Sequence, residues 1–180
     1  MPSLEICILA GGESARMGRD KAGLLLGGET LLRRVKTIAE KTGWPVRVIR
    51  RDVTPGYGPL GGVYTALEST EADRVLFLAC DMPFVTTELL RQLMEIAPPK
   101  SGAIFAQAGR KAGFPFILRR RLLAEVEQLL NEGQLSVQVL AARCRAKMVN
   151  VERASTLLAN LNTPRDLELA RTRIDRANAL

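Results

Sequence analysis

Leu4 to Leu9 (LEICIL) is a near-continuous apolar run with β-branched residues, the pattern of a strand buried on both faces of a parallel sheet. Arg74 to Ala79 (RVLFLA) repeats it, and Val46–Ile49, Ala103–Ala106, Phe114–Leu118 and Lys147–Val151 read as further strands. Between them the period changes. Leu31, Leu32, Val35, Ile38 and Ala39 recur at helical spacing behind Thr30, an N-cap residue, and Gly43 and Pro45 mark the stop. Leu89, Leu90, Leu93 and Ile96 predict a second such helix over Thr86–Ile96, capped by Thr86 or Thr87. Helices are also predicted at Leu122–Leu130 and Ser136–Arg143, and one begins within Val63–Leu67. Thr163-Pro164-Arg165-Asp166 opens another, with Thr as N-cap, Pro at N1 and an acid at N3; its stripe is Leu167, Ala170, Ile174 and Ala177, and the tail beyond Ile174 is expected to fray. Asp52–Gly62 (DVTPGYGPLGG) is turn-rich and is predicted as loop. Strands alternating with helices predict an α/β fold with a mainly parallel sheet flanked by helices.

The chain has 180 residues, enough for one full core, so residues 1–180 are expected to form a single domain. No segment approaches the ~18 uncharged apolar residues of a membrane span. The start, Met1-Pro2-Ser3-Leu4-Glu5, has no basic region of the signal-peptide kind, so a cytoplasmic protein without a membrane partner is expected. Lys and Arg exceed Asp and Glu by 26 − 19 = 7, which calls for an anionic partner. Aromatics make up only 4% and no recognition module is visible, so nucleic acid is not expected. The densest basic run, Arg119-Arg120-Arg121, reads as a solvated helix face.

Histidine is absent, which excludes His-based triads and HExxH zinc sites. Cys7, Cys80 and Cys144 are far apart in no metal-ligand spacing and read as reduced, mostly buried thiols. Chemistry must then come from carboxylates, cations, backbone amides or a metal.

Three segments at predicted strand ends, or in the loops beyond them, could supply it. In open parallel α/β sheets ligands sit beyond the carboxyl ends of strands. The first segment is Leu9-Ala10-Gly11-Gly12-Glu13-Ser14-Ala15-Arg16-Met17-Gly18-Arg19-Asp20-Lys21, with three glycines and three cations. It fits neither GxGxxG nor GxxxxGK[ST]. Its adjacent glycines still let backbone amides approach an anion, and Arg16 and Lys21 can neutralise phosphate oxygens. The second is Cys80-Asp81-Met82-Pro83, where Asp81 either caps a turn or hangs a hard cation such as Mg²⁺ beside substrate phosphates. The third is Asp52–Gly62: Asp52 either accepts hydrogen bonds from a base or ribose or forms a turn, and Gly58–Gly62 either admits a ligand against bare backbone or simply turns.

These residues, in this order, resemble the MobA-like molybdenum cofactor guanylyltransferases. The resemblance rests on LAGGESARMGRDK at Leu9–Lys21, GPLGG at Gly58–Gly62, CDMP at Cys80–Pro83 and NLNTPRDL at Asn160–Leu167, and so covers most of the chain. It implies a Rossmann-like nucleotidyltransferase fold and a reaction in which the terminal phosphate of molybdopterin attacks the α-phosphate of GTP with loss of pyrophosphate. It implies that Leu9, Ala10 and Gly11 contact the nucleotide, that Lys21 binds its phosphates, and that Asp52 contacts the guanosine; from the loop itself, Gly12 joins the candidate nucleotide-binding residues and Arg16 joins Lys21 and Asp81 as a candidate catalytic residue. It further implies that Asp81 binds GTP and Mg²⁺, that Gly62, Asn160 and Asn162 lie toward the pterin, and that molybdoenzyme-maturation proteins are transient partners. The LAGG at the first loop, where cytidylyltransferase relatives carry LAAG, favours GTP. The alternatives are a CTP-dependent molybdopterin cytidylyltransferase, another nucleotidyltransferase, and a non-catalytic nucleotide-binding module. The chain departs from the family pattern twice: only Val46–Ile49 stands where two strands are usual before the Asp52 loop, and Gly113-Phe114-Pro115 lacks a more polar residue before the proline.

Overall fold

The computed structural model describes residues 3–11, 21–50, 56–96, 100 and 102–178. Its main sheet has six strands: β1 (Leu4–Leu9), β4 (Val46–Ile49), β5 (Arg74–Ala79), β6 (Ala103–Ala108), β7 (Lys111–Arg119) and β8 (Lys147–Asn150). Their order is β4-β1-β5-β7-β6-β8. Three of the five pairings are parallel: β1 with β4, β1 with β5, and β6 with β8. The two antiparallel pairings come from β7, which joins β6 as a hairpin and inserts beside β5. A small separate hairpin pairs β2 (Leu25–Leu26) with β3 (Glu29–Thr30).

The inner strands bury both faces, and the period of two sorts their side chains into two cores. Cys7, Leu9, Val75, Phe77, Phe105, Phe116 and Leu118 share one face with α2 (Gly58–Glu68), α4 (Leu123–Asn131) and α5 (Val137–Arg143). Ile6, Ile8, Leu76, Leu78, Ile104 and Ile117 share the other with α1 (Leu31–Glu40) and α3 (Thr87–Glu95). A third cluster of Leu26, Leu31, Leu161, Leu167 and Ala170 fastens the last helix, α7 (Pro164–Asn178), to the β2–β3 hairpin and α1.

The caps behave as their residue types predict. Thr30 accepts the Arg33 N–H and Thr86 the Leu89 N–H, each at 3.2 Å. Other expectations need correcting. The loop predicted over Asp52–Gly62 ends early, because Gly58 already opens α2. Pro59 is pre-set for a first helical turn, and Leu60, Gly61 and Gly62 are buried there rather than exposed in a turn. Beyond Ile174, which packs on the third cluster, α7 runs on to Asn178. Arg119–Arg121 is not a helix face. Arg119 closes β7, with Nε 3.9 Å from Asp73 Oδ2, and Arg120–Leu122 form a single 3₁₀ turn leading into α4. Two short elements were not anticipated: the β2–β3 hairpin and α6 (Ala154–Leu157).

Candidate active site

The parallel register of the three N-terminal strands builds one edge. Leu9 lies opposite both Ile49 and Ala79, so β1, β4 and β5 end together. Backbone bonds continue past the strands: Ala10 N–H donates to Ile49 O at 2.8 Å, and Cys80 N–H donates to Leu9 O at 3.1 Å. Ala10, exposed Gly11 and Asp81 therefore emerge side by side. Gly12, Arg16 and Asp52 lie outside the described residues.

The chain returns to this edge at Lys21, which opens a 3₁₀ turn (Lys21–Gly23) anchored by buried Ala22. Lys21 Nζ donates to Asp81 Oδ2 at 2.8 Å and to Asn162 Oδ1 at 2.6 Å. The lysine and aspartate side chains are 19% and 12% exposed, so the pair is screened much less than a surface ion pair. A second bond ties the C-terminal segment to the same place: Leu161 N–H donates to Asp81 O at 2.9 Å. Lys21, Asp81 and Asn162 thus converge from three distant parts of the chain. Asn160 is exposed two residues before Asn162, and Gly62 is buried in the second turn of α2, without a recorded bond to the trio.

Asp81 Oδ1 is buried and has no hydrogen-bond partner among the described residues. An ionised carboxylate only accepts, so an orphaned buried oxygen at a sheet edge suits a hard cation or a donor from a ligand. Among the described residues there is no group of three or more His, Cys, Asp or Glu side chains able to hold a metal by themselves. Burial pushes the Cys7 thiol up to about 12 and the Cys144 thiol up to about 11, so neither of these two is a thiolate near neutral pH.

One contributor was read from sequence only as a helix cap. Asp166 Oδ2 accepts the backbone N–H groups of Asn162 at 3.0 Å and Thr163 at 2.8 Å. The signal was present in the acid at N3, but its reach to Asn162 is a matter of turn geometry. No helix among the described residues is long and apolar enough to cross a membrane.

The lysine, the aspartate and a short glycine-bearing turn gather at the carboxyl edge of the sheet, where open α/β folds bind their ligands. The MobA-like NTP transferase domain model matches residues 6–52 and 39–148, two segments that overlap around β4. The chain is 34% identical to the probable molybdenum cofactor guanylyltransferase of Opitutus terrae, over 91% of this chain and 93% of that one. It is 30% identical to the molybdenum cofactor guanylyltransferase of Vibrio cholerae, over 89% and 87%. The fold superposes on the molybdopterin-guanine dinucleotide biosynthesis protein A of Archaeoglobus fulgidus with a TM-score of 0.77, at 23% identity, over 96% of this chain and 99% of that one. The chain belongs to the MobA-like NTP transferase family.

Proposed function

We propose that this protein transfers GMP from GTP to molybdopterin. A terminal phosphate oxygen of molybdopterin forms a bond to the α-phosphorus of GTP, the bond from that phosphorus to the bridging oxygen breaks, and pyrophosphate leaves. The observation that carries the reading is the meeting of Lys21, Asp81 and Asn162 at the shared end of β1 and β5, with relatives named as guanylyltransferases in support.

Phosphoryl transfer of this kind needs positioning and charge neutralisation more than a strong base, which suits a chain without histidine. Leu9, Ala10, Gly11 and Gly12 hold the nucleotide against backbone at the end of β1. Lys21, with Arg16, neutralises phosphate oxygens. Asp52 takes the guanosine, and Gly62, Asn160 and Asn162 face the pterin. Asp81 holds Mg²⁺, and its orphaned Oδ1 is the atom suited to it. When bound, the ion neutralises charge on the phosphates. Lys21 bonds at once to a carboxylate assigned to the nucleotide side and an amide assigned to the pterin side, so the two substrates meet across its ammonium. The enzyme works in the cytoplasm, with molybdoenzyme-maturation proteins as transient partners.

The test is turnover of α-labelled GTP with molybdopterin, with and without Mg²⁺. Label moving into a guanine dinucleotide only with Mg²⁺ supports the reading. Label moving only from CTP would establish the cytidylyl alternative, and GTP binding without pyrophosphate release would establish a non-catalytic module.

A further inference from the structure

The turn before α7 does more than start a helix. Thr163 Oγ1 accepts the Asp166 N–H at 3.1 Å while Asp166 Oδ2 accepts the Thr163 N–H at 2.8 Å, a reciprocal capping box. The box is complete with those two bonds. Asp166 Oδ2 makes a third, reaching one residue further out to the Asn162 N–H at 3.0 Å. Asn162 is the residue whose side chain receives Lys21 Nζ at 2.6 Å. On its other side, Leu161 is buried and donates its N–H to Asp81 O at 2.9 Å.

Asn162 would otherwise be an exposed turn residue carrying a freely rotating amide. Held by the Asp166 carboxylate behind and the Leu161 anchor in front, its backbone presents Oδ1 to Lys21 in one direction. Lys21 has a long, flexible stem, so the location of its ammonium depends on such acceptors. The Asp166 carboxyl is held below the usual carboxylate range by the Thr163 hydroxyl, then by the two backbone N–H groups and the charge of Lys21, so it is ionised when the network needs its acceptor.

We propose that Asp166 is a positioning residue for Lys21, acting through the backbone of Asn162. Its catalytic meaning rests on the phosphate-binding role given to Lys21 above; the positioning itself does not.

The test reads Lys21 directly. Acylation of its amine is measured by quantitative mass spectrometry on the full chain without nucleotide, in wild type, Asp166→Ala, Asn162→Ala, the double variant and Thr163→Val. Losing a hydrogen bond to a charged group should raise Lys21 labelling about tenfold in Asn162→Ala. Asp166→Ala should raise it at least about threefold, and the double variant should equal Asn162→Ala alone, because both act on one contact. Thr163→Val weakens the same helix cap but keeps the Asp166–Asn162 bond, and should leave labelling near wild type. Asp166→Asn retains an acceptor oxygen and should restore most of the protection; should Asp166→Ala not fold, Asp166→Ser replaces it as a shorter side chain that still suits a first helical turn. Wild-type labelling in a folded Asp166→Ala or Asp166→Ser variant would overturn the proposal, as would additive effects in the double variant or equal effects from Thr163→Val. Calorimetric binding of Mg·GTP to the same set separates the two readings: absent binding in wild type refutes the nucleotide role and leaves the labelling result to decide the role of Asp166.

Discussion

The Lys21–Asp81 pair should be lopsided, and the lopsidedness can be measured. Lys21→Met keeps the apolar stem and removes the ammonium. Among the described residues Asp81 then has neither oxygen bonded, because Oδ1 has no partner there even with Lys21 in place. An unsatisfied buried acceptor costs about 1–3 kcal/mol, and a fully buried charge stripped of its partner about 3–5 kcal/mol. With the Asp81 side chain still 12% exposed, the loss lies in the upper part of the first range, at about 2–3 kcal/mol. The opposite truncation is milder. In Asp81→Asn, Lys21 keeps its 2.6 Å bond to Asn162 and its 19% exposure, so the loss is about 1 kcal/mol. For a chain of this size 1 kcal/mol is about 2–4 °C in melting temperature, which makes the expected drops about 5–10 °C and about 3 °C. Thermal denaturation followed by circular dichroism in EDTA would measure both. Replacing EDTA with excess Mg²⁺ should then recover part of the loss in Lys21→Met, where both Asp81 oxygens lack a partner among the described residues, by up to ~2.7 kcal/mol at a hundredfold excess over Kd. The Lys21→Met, Asp81→Asn double variant should not respond. If Asp81→Asn falls as far as Lys21→Met, or if Mg²⁺ leaves Lys21→Met unmoved, the orphaned oxygen is not the cation-seeking group described above.

Four further outcomes are expected. Phe116 is fully buried and stacks on Phe105 at 4.5 Å and Phe77 at 5.0 Å, so Phe116→Ala should cost about 3–5 kcal/mol in urea unfolding with an unchanged m-value; a loss under about 1 kcal/mol would refute the stack as a core element. Thr86→Ala removes the cap on Leu89 N–H and should cost about 1 kcal/mol by the same measurement. Because burial pushes the Cys7 thiol up to about 12, a thiol reagent at mildly alkaline pH should leave Cys7 unlabelled in the native chain and label it after denaturation. The folded Asp166 pKa is lowered, so its contribution to stability is complete above the unfolded value of ~3.9 and is lost as pH falls through the folded value; the acid limb of a stability–pH curve should flatten in Asp166→Asn.

What could be read from the chain follows the range of the interactions. β1 and β5 were legible because burial on both faces leaves an uninterrupted apolar run, and α1 and α3 because a cap and a stripe sit within a few residues of each other. The start of α2 was not, since Gly58-Pro59-Leu60-Gly61-Gly62 carries the composition of a turn and becomes helical where burial of the segment outweighs the weak propensity of glycine. The β2–β3 hairpin is too short to show a period. Its mark is Gly27-Gly28, both at positive φ, and a Cβ on Gly27 would come within 3.1 Å of the Arg34 side chain and 3.3 Å of Ile174.

The site divides in the same way. Lys21 and Asp81 each stand out locally, one closing a glycine-rich stretch and the other following a buried strand. Their pairing with Asn162 does not, because that bond spans 141 positions and no spacing encodes it. Resemblance placed Lys21 with the nucleotide and Asn162 with the pterin, as residues of two separate halves. The fold joins them through one ammonium and holds the joint from behind with a helix cap. A lysine shared in this way couples the halves physically. A change that loosens the turn at Asn162 also loosens the cation proposed to bind the phosphates, so variants of the C-terminal segment should disturb nucleotide binding even though that segment was assigned to the other substrate.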